Sequence, residues 1–243
     1  MSKYRISVIF LFLSFLPVFI FSKGNILNRG KLLIYFDGKY VGSEVYTLKE
    51  IPGGYEGSSI MSVILPRGGG NVAFTYKTKE IMDRKFNPIH YEDFYTVNGR
   101  KNYIKVDFKG GKAVDNCYMA GLTLNRTANV HKSFRLLEEA VFYQYWLIYK
   151  KYEVDGGGDK RTINIYIPKI AKEIPVKIDY IGNAAVNTGK GLLEIKKFML
   201  EMGSMGITFA VDKKGKLIKV FSPEQKLEIV NEFNYNFTKT DKK

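Results

Sequence analysis

The chain has 243 residues, 45% of them apolar, enough to fill a sizeable core. Lys and Arg number 38 against 24 Asp and Glu, a formal charge of +14 that favours anionic partners such as phospholipid headgroups, acidic glycans or nucleic acid. With one cysteine and two histidines, an internal disulfide, a metal site built on cysteine pairs and a three-histidine zinc site are all excluded.

Lys3 and Arg5 precede an apolar run over 6–21, broken only by Ser7, Ser14 and Pro17, and the small residue Ser22 follows. A basic start, a short apolar middle and a small exit residue are the layout of a secretory signal peptide. The run is 16 residues long, whereas a membrane-spanning helix needs about 20. Residues 1–22 are therefore expected to be a cleavable signal peptide, and the protein to be exported, most simply to a periplasm. An uncleaved N-terminal anchor is the alternative, because Lys23, Arg29 and Lys31 disfavour translocation of that flank. Export discounts nucleic acid and leaves an anionic membrane surface as a partner for the charge. The plainer account is that lysines decorate solvent-facing strand positions, where they deter aggregation.

Beyond the signal, period-two alternation is punctuated by glycine turns. Strands are expected over 33–36 and 40–48, joined by Asp37-Gly38, whose residues tolerate positive φ in a tight hairpin. Pro52-Gly53-Gly54 precedes a strand over 55–65, and the glycine triplet 68–70 precedes one over 71–82, in which Val72, Phe74 and Tyr76 share a face. Asn98-Gly99 separates strands over 89–97 and 103–108, and Gly110-Gly111 leads into 112–119. The segment 133–152 contains no glycine or proline. Its Leu136, Leu137, Ala140, Val141, Gln144, Tyr145 and Ile148 fall at helical spacing, with Glu138 and Glu139 early and Lys150 and Lys151 late, as the helix dipole prefers. This predicts the main helix, although its second half, 142–149, is aromatic enough to read as a strand. Strands resume over 162–167, 176–181, 192–202, 207–211, 216–221 and 227–232, with Asp212, Lys213, Lys214 and Gly215 forming a hairpin loop. Residues 234–243 read as a loose, lysine-rich tail.

The expected fold is thus mainly β, a single domain over 23–233. About a dozen antiparallel strands form a meander curled by its accumulated twist into a half-barrel or open barrel, with the helix of about 133–152 packed on or in it. The order of Leu137-Glu-Glu-Ala-Val-Phe-Tyr-Gln-Tyr145, Thr162-Ile-Asn-Ile-Tyr-Ile-Pro168 and Gly206-Ile-Thr-Phe-Ala-Val-Asp-Lys-Lys-Gly-Lys-Leu-Ile-Lys-Val220 resembles exported bacterial β-meander proteins of unknown function. These are similar in layout to the LolA/LolB type of periplasmic half-barrel carrier. That resemblance implies a cavity for a hydrophobic ligand.

No stretch carries a catalytic signature. The segment ending Thr188-Gly189-Lys190-Gly191 has the wrong glycine spacing for a phosphate loop and reads as a turn. Asp155 and Asp159 flank the glycines 156–158 without the spaced acidic ligands of a calcium loop. His90 and Glu92 share a strand face, as a base and its orienter would, but no nucleophile is assignable, and His90 reads as a partly exposed strand residue. His131 reads as a loop residue before the helix and Cys117 as a small core residue. Asn125-Arg-Thr and Asn236-Phe-Thr fit the glycosylation pattern, which matters only in a eukaryotic secretory path. Tyr143, Tyr145, Trp146, Tyr149 and Tyr152 crowd the helix, most as core and a minority as cavity lining. The sequence therefore assigns no catalytic, metal-ligating or cofactor-binding residue, and leaves the ligand-binding residues and the oligomeric state open. The expected role is non-enzymatic binding of an apolar or amphipathic, lipid-like ligand. A structural or protein-interaction module using an open sheet edge is the alternative, and a hydrolase comes last.

Overall fold

The computed structural model describes residues 25–68, 70–188 and 191–232. The segment read as a signal peptide and the C-terminal tail lie outside the described residues. Eight strands come first, each returning antiparallel on the last: β1 (Ile26–Phe36), β2 (Lys39–Ile51), β3 (Gly54–Arg67), β4 (Gly70–Asp83), β5 (Pro88–Val97), β6 (Arg100–Lys109), β7 (Lys112–Met119) and β8 (Leu122–Asn129). A two-residue strand, β9 (Arg135–Leu136), and the helix α1 (Tyr143–Val154) interrupt the series. It continues with β10 (Lys160–Ile167), a 3-10 turn (Pro168–Ile170), β11 (Lys172–Thr188), β12 (Gly191–Met202), β13 (Met205–Asp212), β14 (Leu217–Ser222) and β15 (Leu227–Asn231).

All fifteen strands belong to one sheet, ordered β8-β7-β6-β5-β4-β3-β2-β1-β15-β14-β13-β12-β11-β10-β9. The first and last strands therefore meet at its centre, with Leu32 opposite Asn231 and Ile34 opposite Ile229. Only β9 runs parallel to its neighbour, placing Arg135 opposite Ile165. The turns follow their chemistry: Asp37 and Gly38 both take positive φ, at 51° and 73°, as do Asn98 and Gly99, at 47° and 81°. These are the left-handed pairs that match the right-handed twist of a tight hairpin.

Twist accumulated over so many strands curls the sheet around a core of inward side chains. The barrel is not closed by backbone pairing, and β8 and β9 are its edges. Side chains bridge the seam instead. The guanidinium of Arg126 on β8 donates to the carbonyls of Pro168 at 2.8 Å and Lys169 at 3.0 Å. Beyond β8, the amide of His131 donates to the Glu173 carboxylate at 2.8 Å. Among the described residues no helix is long and apolar enough to cross a membrane.

The structure corrects the bounds of the helix. Helical spacing predicts about 133–152, but only Tyr143–Val154 is α-helix. Its first half is an extended stretch around β9 followed by a turn: Leu137 donates to the Tyr166 carbonyl at 3.2 Å, continuing the alignment that β9 makes with β10, and Val141 then donates to the Glu138 carbonyl at 3.2 Å. The aromatic second half, readable as a strand, is the helix. It sits inside the barrel, with Tyr143 to Tyr149, Lys151 and Tyr152 all buried. A helix enclosed on every side has no polar face for periodicity to reveal. The wall strands spend their hydrogen bonds on one another, so an enclosed segment must satisfy its own backbone, which a helix does. Strand β8 is also absent from the sequence reading. It is an edge with mostly exposed residues on both faces, so it lacks the alternation that marks a half-buried strand.

Candidate functional site

Inward positions of the wall, and the segment leading into α1, carry an unusual set of acids. Glu44, Glu80, Asp93, Asp115 and Glu138 are all buried, none more than 3% exposed. Three of them hold the central helix and the segment leading into it. One Glu44 oxygen on β2 accepts the amides of Phe142 at 2.9 Å and Tyr143 at 3.1 Å, satisfying donors that a helix start leaves free. Glu80 on β4 accepts from the Arg135 guanidinium at 3.0 Å and the Gln144 amide at 3.4 Å. Glu138 accepts the Lys169 amide at 3.1 Å, while its own amide donates to Gln144 at 2.7 Å. Asp115 serves the seam, accepting from Tyr166 at 2.8 Å and Arg126 at 2.9 Å. Asp93 on β5 differs, because neither of its oxygens has a hydrogen-bond partner.

Desolvation dominates the acid–base behaviour of this interior. Burial pushes Glu44, Glu80 and Glu138 up to about 7. The Arg135 charge opposes that rise at Glu80, and backbone donors oppose it at Glu44 and Glu138. Asp93 is pushed up to about 8, by burial first and then by the neighbouring Glu138. Near neutral pH the core therefore holds protons that the same residues would lose in water. Among the described residues no group of three His, Cys, Asp or Glu is placed to hold a metal ion.

Two grooves open beside the C-terminal half of α1, at the barrel end carrying the β13–β14 turn. The first, of about 360 Å³, has Leu27, Leu48, Phe86 and Trp146 as its apolar wall. Lys150, Lys214 and Lys216 stand on its rim with Asp212. Asp212 shapes the turn by accepting the amides of Lys214 at 2.9 Å and Lys216 at 2.8 Å. Trp146 is anchored by its indole N–H, which donates to the Gly215 carbonyl at 2.6 Å. Gly215 is required here: its φ is +72°, and a Cβ would lie 2.9 Å from both the Tyr149 ring and the Lys150 ammonium. The second groove, of about 520 Å³, lies across the helix and is lined by Tyr149, Tyr152, Tyr180 and Phe198 with Glu153 and Lys196. The three tyrosine rings stand 5.4 to 5.5 Å from that of Phe198.

No family model and no curated protein matches this sequence. Solved structures do. A β-barrel-like protein from Brucella abortus, of the domain of unknown function DUF1849, superposes with a TM-score of 0.58 at 11% identity, covering 84% of this chain and 93% of that one. A DUF1089-family protein from Pseudomonas aeruginosa gives a TM-score of 0.47 at 11% identity, over 72% of this chain and 87% of that one. The first likeness is one of fold. It agrees with a barrel-like antiparallel meander and carries no activity across.

The residues singled out from sequence are not brought together. His90 points outward on β5, with its imidazole 2.7 Å from Asp107 and 3.4 Å from Glu92. His131 lies at the seam beside Glu173. Cys117 is fully buried on β7. Asp155 pairs with Lys151 at 2.7 Å, while Asp159 lines the second groove. Of the phosphate-loop lookalike, Thr188 ends β11 and Gly191 begins β12, while Gly189 and Lys190 lie outside the described residues. Sequence reasoning missed the buried acids, yet a signal existed. Glu80 sits between Thr78 and Met82, Asp93 between Tyr91 and Tyr95, and Asp115 between Ala113 and Cys117, each on the buried parity of its strand. A carboxylate in phase with apolar neighbours is a buried carboxylate.

Proposed function

We propose that this protein is a non-enzymatic binder of an amphipathic, anionic ligand, seated in the groove between α1 and the barrel wall. The observation that carries this is the division of that groove into an apolar wall (Leu27, Leu48, Phe86 and Trp146) and a lysine rim (Lys150, Lys214 and Lys216). An apolar tail lies against the former and a charged head against the latter, a combination ligand sites commonly use. The N-terminal layout of Lys3, Arg5 and the run over 6–21 supports an envelope setting, where lipid-like molecules of this kind occur. Carriage of a lipid-like ligand, as the resemblance to half-barrel carriers implies, belongs to the same reading. The alternative of an open sheet edge is weaker, because Arg126 already bridges from β8 to the Pro168 and Lys169 carbonyls. A hydrolase draws no support from His90, whose partners Glu92 and Asp107 lie with it on the outer face.

The test uses Trp146, the sole tryptophan. A dansyl-labelled fatty acid titrated into the full chain is expected to take up energy from Trp146 saturably and to be displaced by unlabelled fatty acid. Leu27→Asp, at a solvent-accessible position of the apolar wall, abolishes the transfer, and Lys214→Gln with Lys216→Gln weakens it. Saturable transfer that Leu27→Asp leaves untouched, or no saturable transfer, refutes the reading.

A further inference from the structure

We infer that the outer face of β4–β7 is a docking surface for an anionic phospholipid bilayer. Cross-strand register sets Lys77 opposite Phe94, Phe94 opposite Tyr103, and Tyr103 opposite Tyr118. The three rings form a ladder with centroids 6.4 and 6.2 Å apart. They face away from the core: Phe94 is 44% and Tyr118 37% exposed. Cross-strand contact between the rings stabilises the sheet by itself, but the ladder also leaves a contiguous apolar strip in solvent, which is what a docking surface offers.

The flanking rows say what kind. On one side Thr75, Thr96 and Lys101 are aligned, and on the other Lys79, Glu92 and Lys105. Lys105 reaches back over the Phe94 ring, its ammonium 5.2 Å from the centroid. Glu92, the acid in these rows, is already engaged by Lys105 at 3.3 Å and His90 at 3.4 Å. Lys77 and Lys101 are exposed and have no ionic partner among the described residues. An aromatic strip bordered by uncompensated cations complements the headgroup level of an anionic membrane, where tyrosine rings and lysines both settle. The strip is one side chain deep along the strands, about 7 Å, against about 25 Å for the apolar band of a spanning barrel. It therefore rests on the bilayer without crossing it. A second copy of the chain fits less well, because both faces would bring the same excess of lysines to the contact.

This surface is separate from the grooves beside α1, so its success or failure leaves the ligand reading untouched. The test places a reporter in the ladder itself, Phe94→Trp in the full chain, with wild type titrated in parallel so that any response of Trp146, which lines the groove, is subtracted. Phosphatidylcholine vesicles containing phosphatidylglycerol are expected to shift the new emission to the blue, with quenching by brominated lipid. Phosphatidylcholine alone leaves it unchanged. Attachment through the apolar run over 6–21, flanked by Lys3, Arg5 and Lys23, also favours anionic vesicles, but it does not place an indole at position 94 in lipid, so quenching by brominated lipid isolates the strip. Adding Lys77→Gln and Lys101→Gln lowers vesicle affinity roughly 25-fold, about fivefold per lysine, and raised salt does likewise. The inference is overturned by no shift on anionic vesicles, by an equal shift on neutral ones, or by binding that the lysine changes leave intact. It is overturned equally by a vesicle-free dimer in sedimentation velocity that Phe94→Thr dissolves.

Discussion

Asp93→Asn probes a buried carboxyl group that has no hydrogen-bond partner. In the folded protein Asp93 titrates at about 8, against 3.8 for an ordinary aspartate, and burial is the main cause. The native state thus holds this proton more tightly than the unfolded chain does. Between the two values stability falls as pH rises; the penalty is absent below about pH 4 and complete above about pH 8. A gap of about four pH units, at about 1.36 kcal/mol each, sets a ceiling of about 6 kcal/mol, and local relaxation lowers this to roughly 3 kcal/mol. Asparagine keeps the shape and never ionises. Since neither oxygen of Asp93 has a partner, the amide breaks no hydrogen bond. Urea unfolding followed by Trp146 emission is therefore expected to show the variant more stable by about 3 kcal/mol at pH 9 and equal within about 1 kcal/mol at pH 5. Glu44, Glu80 and Glu138 titrate in both proteins, so comparison of the two cancels most of their contribution. A variant less stable than wild type at pH 9, or a difference independent of pH, refutes the reasoning.

Other changes probe the rest of the interior. Glu80→Gln leaves the buried Arg135 without its counter-charge and is expected to cost about 3–5 kcal/mol in denaturant unfolding at pH 8. Adding Arg135→Met to that variant recovers much of the loss, whereas an additive double mutant would deny the pairing. Gly215→Ala forces a Cβ to 2.9 Å from the Tyr149 ring at a φ of +72°. It is expected to lose about 1–3 kcal/mol by thermal or chemical unfolding. The Cys117 thiol, fully buried, is expected to react with a thiol reagent only at the rate of unfolding. Rapid labelling of native protein would show the β7 wall to be open.

The meander was legible because its signals are local. Asp37-Gly38, Asn98-Gly99 and the alternation in β4 are read within a few residues, and the structure places strands and turns there. The helix was half legible. Its existence followed from a long segment without glycine or proline, but its start depends on Glu44, 98 residues away from Phe142, which no local pattern encodes. Helical spacing points to Glu138 and Glu139 as the dipole partners, and the wall supplies Glu44 instead. The grooves were not legible, because Leu27, Phe86, Trp146 and Lys214 share a space only once the sheet has curled. Asp93 stood in plain view beside His90 and Glu92, and strand parity separates them: two face solvent and one faces the core.

The meeting of β1 with β15 gives the molecule a natural line of division. Each half of the sheet is a run of hairpins between chain neighbours, quick to form because its loops are short. The joint between halves waits for residues such as Lys31 and Glu232, 201 positions apart, so it forms late and at the greatest loop-closure cost. Either half alone presents an unpaired edge, the eleven-residue β1 or the five-residue β15, whose missing partner is the other half. Co-expressed as two fragments divided between β8 and β9, the halves are expected to find one another and rebuild the barrel, whereas each alone aggregates.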